Sequence, residues 1–212
     1  MNTDKKPGVL KQIAAGFAIL AAITGIYVFQ ALGRKAGPAE PATLATVAPA
    51  GVSRALATGA LAAFLVKKER KPVADSAFQD GEGRPLKLSQ WQGRVALVNL
   101  WATWCGPCRK EMPALAQLQK ELGSDQFEVV AISVDKKGVE ASAAFLKETG
   151  AENLKLYVEP SLTILNDLQA IGLPATVLID RQGNEIGRLL GPADWASPEA
   201  QTLIKAALAE KP

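Results

Sequence analysis

Histidine is missing from all 212 residues of this chain, and cysteine occurs only twice. Without histidine, neither a Cys-His protease nor a Ser-His-Asp hydrolase can be assembled. Structural zinc takes four ligands, usually cysteine and histidine, so the chain could supply half a site at most, and no metal is expected. The residue after the second cysteine is Arg109, which excludes the Cys-x-x-Cys-His signal of haem attachment. Basic charge is also scarce where a nucleic-acid binder would need it. Residues 1–72 hold ten Lys/Arg against three Asp/Glu, a net +7; residues 73–212 hold fourteen against eighteen, a net −4. The formal charge of +3 therefore reflects the N-terminal segment, and the globular part is mildly acidic. No basic run with interleaved aromatics is present, so no nucleic-acid partner is expected.

Both cysteines lie in one unit, Trp104-Cys105-Gly106-Pro107-Cys108, directly after the apolar run Val95–Trp101. This spacing predicts a dithiol at the C-terminal end of a buried strand, where a helix begins. A helix N-terminus carries unpaired N–H groups and about half a positive charge, which stabilises a thiolate. A thiolate is the species that attacks a disulfide. The plainer alternative is a static structural bond. Two intervening residues close a very small loop, and the chain-entropy gain rises with loop length, so such a bond is a poor staple. Redox chemistry at Cys105 and Cys108 is the favoured reading, with no cofactor beyond that disulfide.

Ile13 to Leu32 is twenty residues without a charge. As a helix it would span about 30 Å, the thickness of a bilayer's hydrocarbon core. Lys5, Lys6 and Lys11 flank one end, Arg34 and Lys35 the other. A cleaved signal peptide is the competing reading, and Ala31-Leu32-Gly33 offers a small-residue site for it, although the run exceeds the usual apolar region of such peptides. The charge flanks orient the helix only weakly. A dithiol domain is most useful in an oxidising compartment, so the expected arrangement is single-pass in the inner membrane, with the C-terminal domain in the periplasm.

Three parts are expected: 1–35 as cytoplasmic tip and transmembrane anchor, 36–72 as a Pro/Ala-rich tether with a short helix, and 73–212 as one folded domain. The short helix is predicted over Ser53–Lys68, with Ser53 as N-cap and packed on the domain rather than in the membrane. Within the domain, Asp80-Gly81-Glu82-Gly83 marks a hairpin between Ala77–Gln79 and Pro85–Leu88. Val95–Trp101 and Phe127–Val134 read as buried strands, with a helix from Cys105 to about Leu122 between them. A helix over Val139–Thr149 stops at Gly150. A short strand over Leu154–Val158 and a helix over Ser161–Ala170 follow. Ala175–Asp180 and Ile186–Leu190 form a second hairpin, and Ser197–Glu210 a terminal helix. Strand-helix-strand units early and a hairpin late predict an α/β fold with a central mixed sheet flanked by helices.

The segment Trp101-Ala102-Thr103-Trp104-Cys105-Gly106-Pro107-Cys108 closely resembles the active site of thioredoxin-fold proteins. Gly172-Leu173-Pro174-Ala175-Thr176 resembles their cis-proline loop, and Pro113 matches the proline that kinks their active-site helix. Cys108-Arg109-Lys110-Glu111-Met112-Pro113-Ala114-Leu115 is more similar to the membrane-anchored TlpA/ResA/CcmG branch. So are the forty residues between Val134 and Pro174, which leave room for the strand and helix that branch inserts. With the anchor, the resemblance is closest to the TlpA type, and it covers roughly residues 73–210.

The resemblance implies a thiol:disulfide oxidoreductase in which Cys105 attacks and Cys108 resolves. It implies that Pro174 and Leu173 face the dithiol and that Trp104, Gly106 and Pro107 shape the contact with client proteins. Cytosolic thioredoxins carry a buried aspartate where this chain has Asn99, which cannot exchange a proton at neutral pH. The branch instead carries a glutamate at the position of Glu111. A carboxyl one turn beyond Cys108 could accept that thiol's proton, with its pKa raised by desolvation. The alternative is a solvated residue on a charged face beside Arg109 and Lys110. Trp101 and Trp195 are expected in the core. The implied partners are disulfide-bearing proteins near the membrane and a membrane electron donor of the DsbD/CcdA type; the implied setting is cytochrome biogenesis, at oxidase copper sites or apocytochrome c. Two other readings stay open: a redox-inactive module that only docks partners, and a disulfide-forming oxidase.

Overall fold

The computed structural model describes residues 51–211. The expected anchor and nearly all of the Pro/Ala-rich tether lie outside those residues. In chain order the elements are single 3-10 turns at Arg54–Leu56 and Gly59–Leu61, then β1 (Leu65–Val66), β2 (Ala77–Asp80) and β3 (Pro85–Lys87). A 3-10 turn at Leu88–Trp91 leads into β4 (Val95–Trp101), α1 (Gly106–Leu122), β5 (Phe127–Ser133) and α2 (Gly138–Glu148). There follow β6 (Tyr157–Val158), α3 (Thr163–Asp167), β7 (Ala175–Ile179), β8 (Glu185–Leu190) and α4 (Pro198–Ala209).

All strands join one sheet in the order β1-β8-β7-β4-β5-β6-β2-β3. β4 runs parallel to β5, and β5 to β6; the other pairs are antiparallel. β4 and β5 are buried at every position. That is why their sequences run apolar without alternation: strands covered on both faces have no polar side. Trp101 stacks on Phe145 of α2 with ring centroids 4.8 Å apart. α1 turns Cys108, Glu111, Met112 and Leu115 inward, the i, i+3, i+4, i+7 stripe of a core-facing helix. The mixed sheet with helices on it is the expected thioredoxin-like α/β fold. The segment between Val134 and Pro174 holds α2, β6 and α3, so the extra strand and helix are present.

The helix expected over Ser53–Lys68 does not form. The segment packs on the domain as two 3-10 turns and the edge strand β1, which pairs with Gly187 and Arg188 of β8. Its alanines favour a helix locally, but burial of Leu61 and Phe64 in the core and the ladder to β8 decide the outcome. Gly187 permits the approach: a Cβ there would lie 2.5 Å from the Phe64 ring and 2.6 Å from the Leu65 carbonyl. Packed residues therefore begin ahead of 73. The helix expected over Ser161–Ala170 contracts to α3, because Leu162 and Gln169 both adopt positive φ. The strand expected over Leu154–Val158 contracts to β6, which has only two partners on each side.

The chain's path into the domain is fixed by one carboxylate. Glu210, just past α4, accepts from both Arg70 Nη atoms at 2.5 and 2.6 Å and from the Val52 N–H at 2.7 Å. Arg70 also reaches Asp180 at 3.4 Å, and Arg181 donates to the carbonyls of Leu208 and Glu210.

Candidate active site

β4 delivers the dithiol. Its last residue is Trp101; four residues later Cys105 is the N-cap of α1, and its Sγ accepts from the Cys108 N–H at 3.2 Å. Pro107 sits in the first turn of α1, where a missing N–H costs no helical bond. Cys105 and Cys108 are joined as a disulfide with Cα atoms 5.3 Å apart. Cys105 retains 5% exposure and Cys108 none, so the first sulfur is the one at the surface. Gly106 and Pro107 are exposed beside it. Trp104 is 69% exposed, which removes it from the core; Trp101 and Trp195 are fully buried.

The second loop meets the first across the sheet. Ala175 of β7 pairs with Leu100 of β4, so Pro174 lies at the end of the sheet where the dithiol loop leaves. The Leu173–Pro174 bond is cis, with Leu173 half-buried and Pro174 buried. Gly172 and Ile171 before it are exposed.

Glu111 is not a solvated surface charge. It is 3% exposed, while its neighbour Arg109 turns away to Glu148 at 2.8 Å and over the Phe145 ring. The Glu111 Oε1 accepts from Asn99 Nδ2 at 2.8 Å and Oε2 from the Ala193 N–H at 3.2 Å. The Trp195 indole N–H also faces this carboxyl and favours its charged form, without reaching normal hydrogen-bond geometry. Burial dominates these donors and pushes the Glu111 pKa up to about 7.

Two contacts of the site had no signal in the sequence. Asn99 also donates from Nδ2 to Thr176 Oγ1 at 2.9 Å, tying β4, α1 and β7 together. Asp135, just past β5, accepts from the N–H and hydroxyl of Thr103 and from the Lys137 N–H. Burial pushes the Asp135 carboxyl up, but those hydrogen bonds outweigh it and hold the pKa below the usual range. Thr103, two residues before Cys105, is thereby pinned to the end of β5.

The Redoxin family model matches residues 68–204. The chain belongs to the Redoxin family. Among curated relatives, this redoxin is 31% identical to thiol-disulfide oxidoreductase ResA of Bacillus subtilis, over 58% of this chain and 68% of that protein. It is 31% identical to thiol:disulfide interchange protein HelX of Rhodobacter capsulatus, over 56% of this chain and 61% of that protein. Among solved structures, a thioredoxin-family thiol:disulfide interchange protein from Chlorobium tepidum aligns with a TM-score of 0.56 at 27% identity, covering 68% of this chain and 99% of that one. This redoxin is a thiol-disulfide oxidoreductase, and the disulfide at the head of α1 is where such exchange can occur.

Proposed function

We propose that this redoxin is a membrane-tethered reductase of disulfides in extracytoplasmic proteins and works in cytochrome biogenesis. The observation that carries the reading is a near-surface sulfur at a helix N-terminus, followed one turn beyond the inner sulfur by a buried carboxyl that has no ion pair among the described residues. In the reduced enzyme the Cys105 thiolate attacks one sulfur of a client disulfide, and the client's other sulfur leaves as a thiolate that takes a proton from water. Cys108 gives its proton to Glu111 and attacks Cys105 Sγ. The enzyme disulfide forms, the second client thiol is released, and two electrons have passed to the client. A carboxyl titrating near 7 is matched to that transfer, since it can hold or release the proton at working pH. Pro174 and Leu173 border the dithiol and present backbone to an extended client strand; Trp104, with Gly106 and Pro107, forms the apolar contact around Cys105.

Direction and setting rest on sequence. Gly106-Pro107 is the dipeptide of reducing thioredoxins, whose potential is about −270 mV against about −120 mV for the strong oxidant DsbA. The apolar span over Ile13–Leu32 supplies the tether to the inner membrane, with the domain on the periplasmic side, and a donor of the DsbD/CcdA type restores the dithiol. The membrane-anchored TlpA type is the nearest description. Clients are cysteines awaiting haem or copper, in apocytochrome c or at oxidase copper sites.

Purified protein should reduce insulin with dithiothreitol as donor, and its potential against glutathione should lie near the reducing end of that range. A potential near that of DsbA would make it an oxidase instead. Cys108→Ser should trap clients as mixed disulfides identifiable by mass spectrometry. A deletion strain with normal holo-cytochrome c and active cytochrome oxidase would overturn the assignment to cytochrome biogenesis.

A further inference from the structure

Asn99 is fully buried, and both hydrogens of its Nδ2 are committed, one to Glu111 Oε1 and one to Thr176 Oγ1. Its Oδ1 has no partner. A buried acceptor left unpaired beside a carboxyl calls for an explanation. The two oxygens of Glu111 are not equivalent. Oε2 faces the backbone N–H of Ala193, which can only donate, so Oε2 must remain an acceptor. A proton taken up by Glu111 therefore falls on Oε1, where it meets the N–H of Asn99 head-on. Half a turn of the Asn99 carboxamide removes the conflict. Oδ1 then accepts from the Glu111 O–H and from the Thr176 hydroxyl, which can donate as readily as it accepts. In either orientation one end of the amide is unpaired, so burial alone does not lock it; the proton on Glu111 decides.

We propose that Asn99 is the positioning residue of the dithiol site, its carboxamide turning over as Glu111 takes up or gives up a proton, so that N–H faces the carboxylate and C=O faces the acid. This rests on the reading of Glu111 as the proton acceptor for Cys108. The groups that face Glu111 are Asn99 from β4, Thr176 from β7 through Asn99, and the Ala193 N–H and Trp195 indole from the segment after β8; Cys108 is buried one turn before it on α1. Among the described residues no cation is ion-paired with it. The amide thus serves both protonation states and sets the balance between them. The change is passed to Thr176, two residues past Pro174, whose hydroxyl switches from acceptor to donor.

The test uses the unmodified protein first. The Asn99 side-chain amide resonances are followed by 15N NMR from about pH 5 to about pH 9, alongside the Glu111 carboxyl carbon. Both should titrate with one shared midpoint, and in Glu111→Gln the Asn99 signals should be flat. Asn99→Leu removes the donor to the carboxylate and should raise the Glu111 midpoint by about one pH unit. Asn99 resonances that stay flat while Glu111 titrates would overturn the proposal, as would an unmoved Glu111 midpoint in Asn99→Leu. If Asn99 follows Glu111 but Glu111→Gln keeps the parent's pH–rate profile, the amide switch stands and the catalytic reading of Glu111 fails.

Discussion

Two glutamates in this molecule are equally hidden and differently served. Glu111 is 3% exposed and Glu128 is 4% exposed. Glu128, at the start of β5, accepts from Arg94 at 3.1 Å, Lys155 at 3.0 Å and the Tyr157 hydroxyl at 2.6 Å. Glu111 receives one amide N–H and one backbone N–H, and among the described residues no cation is ion-paired with it. A buried carboxylate is costly unless it is paired, and Glu128 is paired on both oxygens. Without such pairing Glu111 remains free to change protonation state. Glu128 and its cations stand at the pole of the sheet where β4 begins, and Glu111 lies toward the pole where β4 ends and α1 carries the dithiol.

The largest effect expected from breaking this contrast is at the sulfurs themselves. Cys105→Ala should lower disulfide exchange by more than ~10³-fold with little change in melting temperature, because it removes the nucleophile and leaves the core intact. Alkylation of the reduced protein at mildly acidic pH should label Cys105 first; preferential labelling of Cys108 would reverse the assigned order.

Glu111→Gln should act on both rate and stability. The folded protein holds the Glu111 proton more tightly than the unfolded chain, with a pKa of about 7 against 4.5. The folded state is therefore favoured most below the unfolded value, and that advantage is lost as pH rises through 7. The full swing is up to about 3 kcal/mol, and denaturant titrations at several pH values should find it in the parent and not in the variant. The pH–rate profile of the parent should rise through the same range, and the variant's should not.

Glu128→Gln sharpens the contrast from the other side. It leaves two cations without their anion, and should cost about 1–3 kcal/mol in denaturant while insulin reduction stays at the parent rate. The smallest effect is expected at Glu210, whose ion pair with Arg70 is partly solvated. The hydrogen bonds from Arg70 are the main cause that holds its pKa below the usual range. Its contribution is present above the unfolded carboxylate pKa and fades as pH falls through the folded one. Glu210→Gln should cost under about 1 kcal/mol near neutral pH and nothing in acid.

Much of this architecture could be read from residues. Val95–Trp101 is a strand to the residue because an unbroken apolar run has no solvent face to choose. The Asp80–Gly83 hairpin forms because the Asp80 carboxylate gathers the N–H groups of Glu82 and Arg84 while Gly83 takes a positive φ. The dithiol at the head of α1 follows from a strand ending where a helix begins. The failures have a common cause. The alanine-rich stretch after Ser53 favours a helix on local grounds, and only the groove over Gly187 explains why Phe64 docks there instead. Asn99 could be seen to lack a titrating proton, but its bond to Thr176 spans 77 positions, and no local pattern reveals it. Asp135 reaches Thr103 only because β4 and β5 run side by side.

The carboxylate of Glu210 holds the N–H of Val52, so the chain enters and leaves the described domain at one spot. That spot lies beside Asp180, at the end of the sheet where β4 starts, since Ile179 pairs with Ala96. The seven residues of β4 then carry the chain about 20 Å to the sulfurs. The domain is consequently a plug with both leads on its back. A fusion partner, or a circularly permuted linkage of the two leads, would attach at the end of the sheet away from the sulfurs.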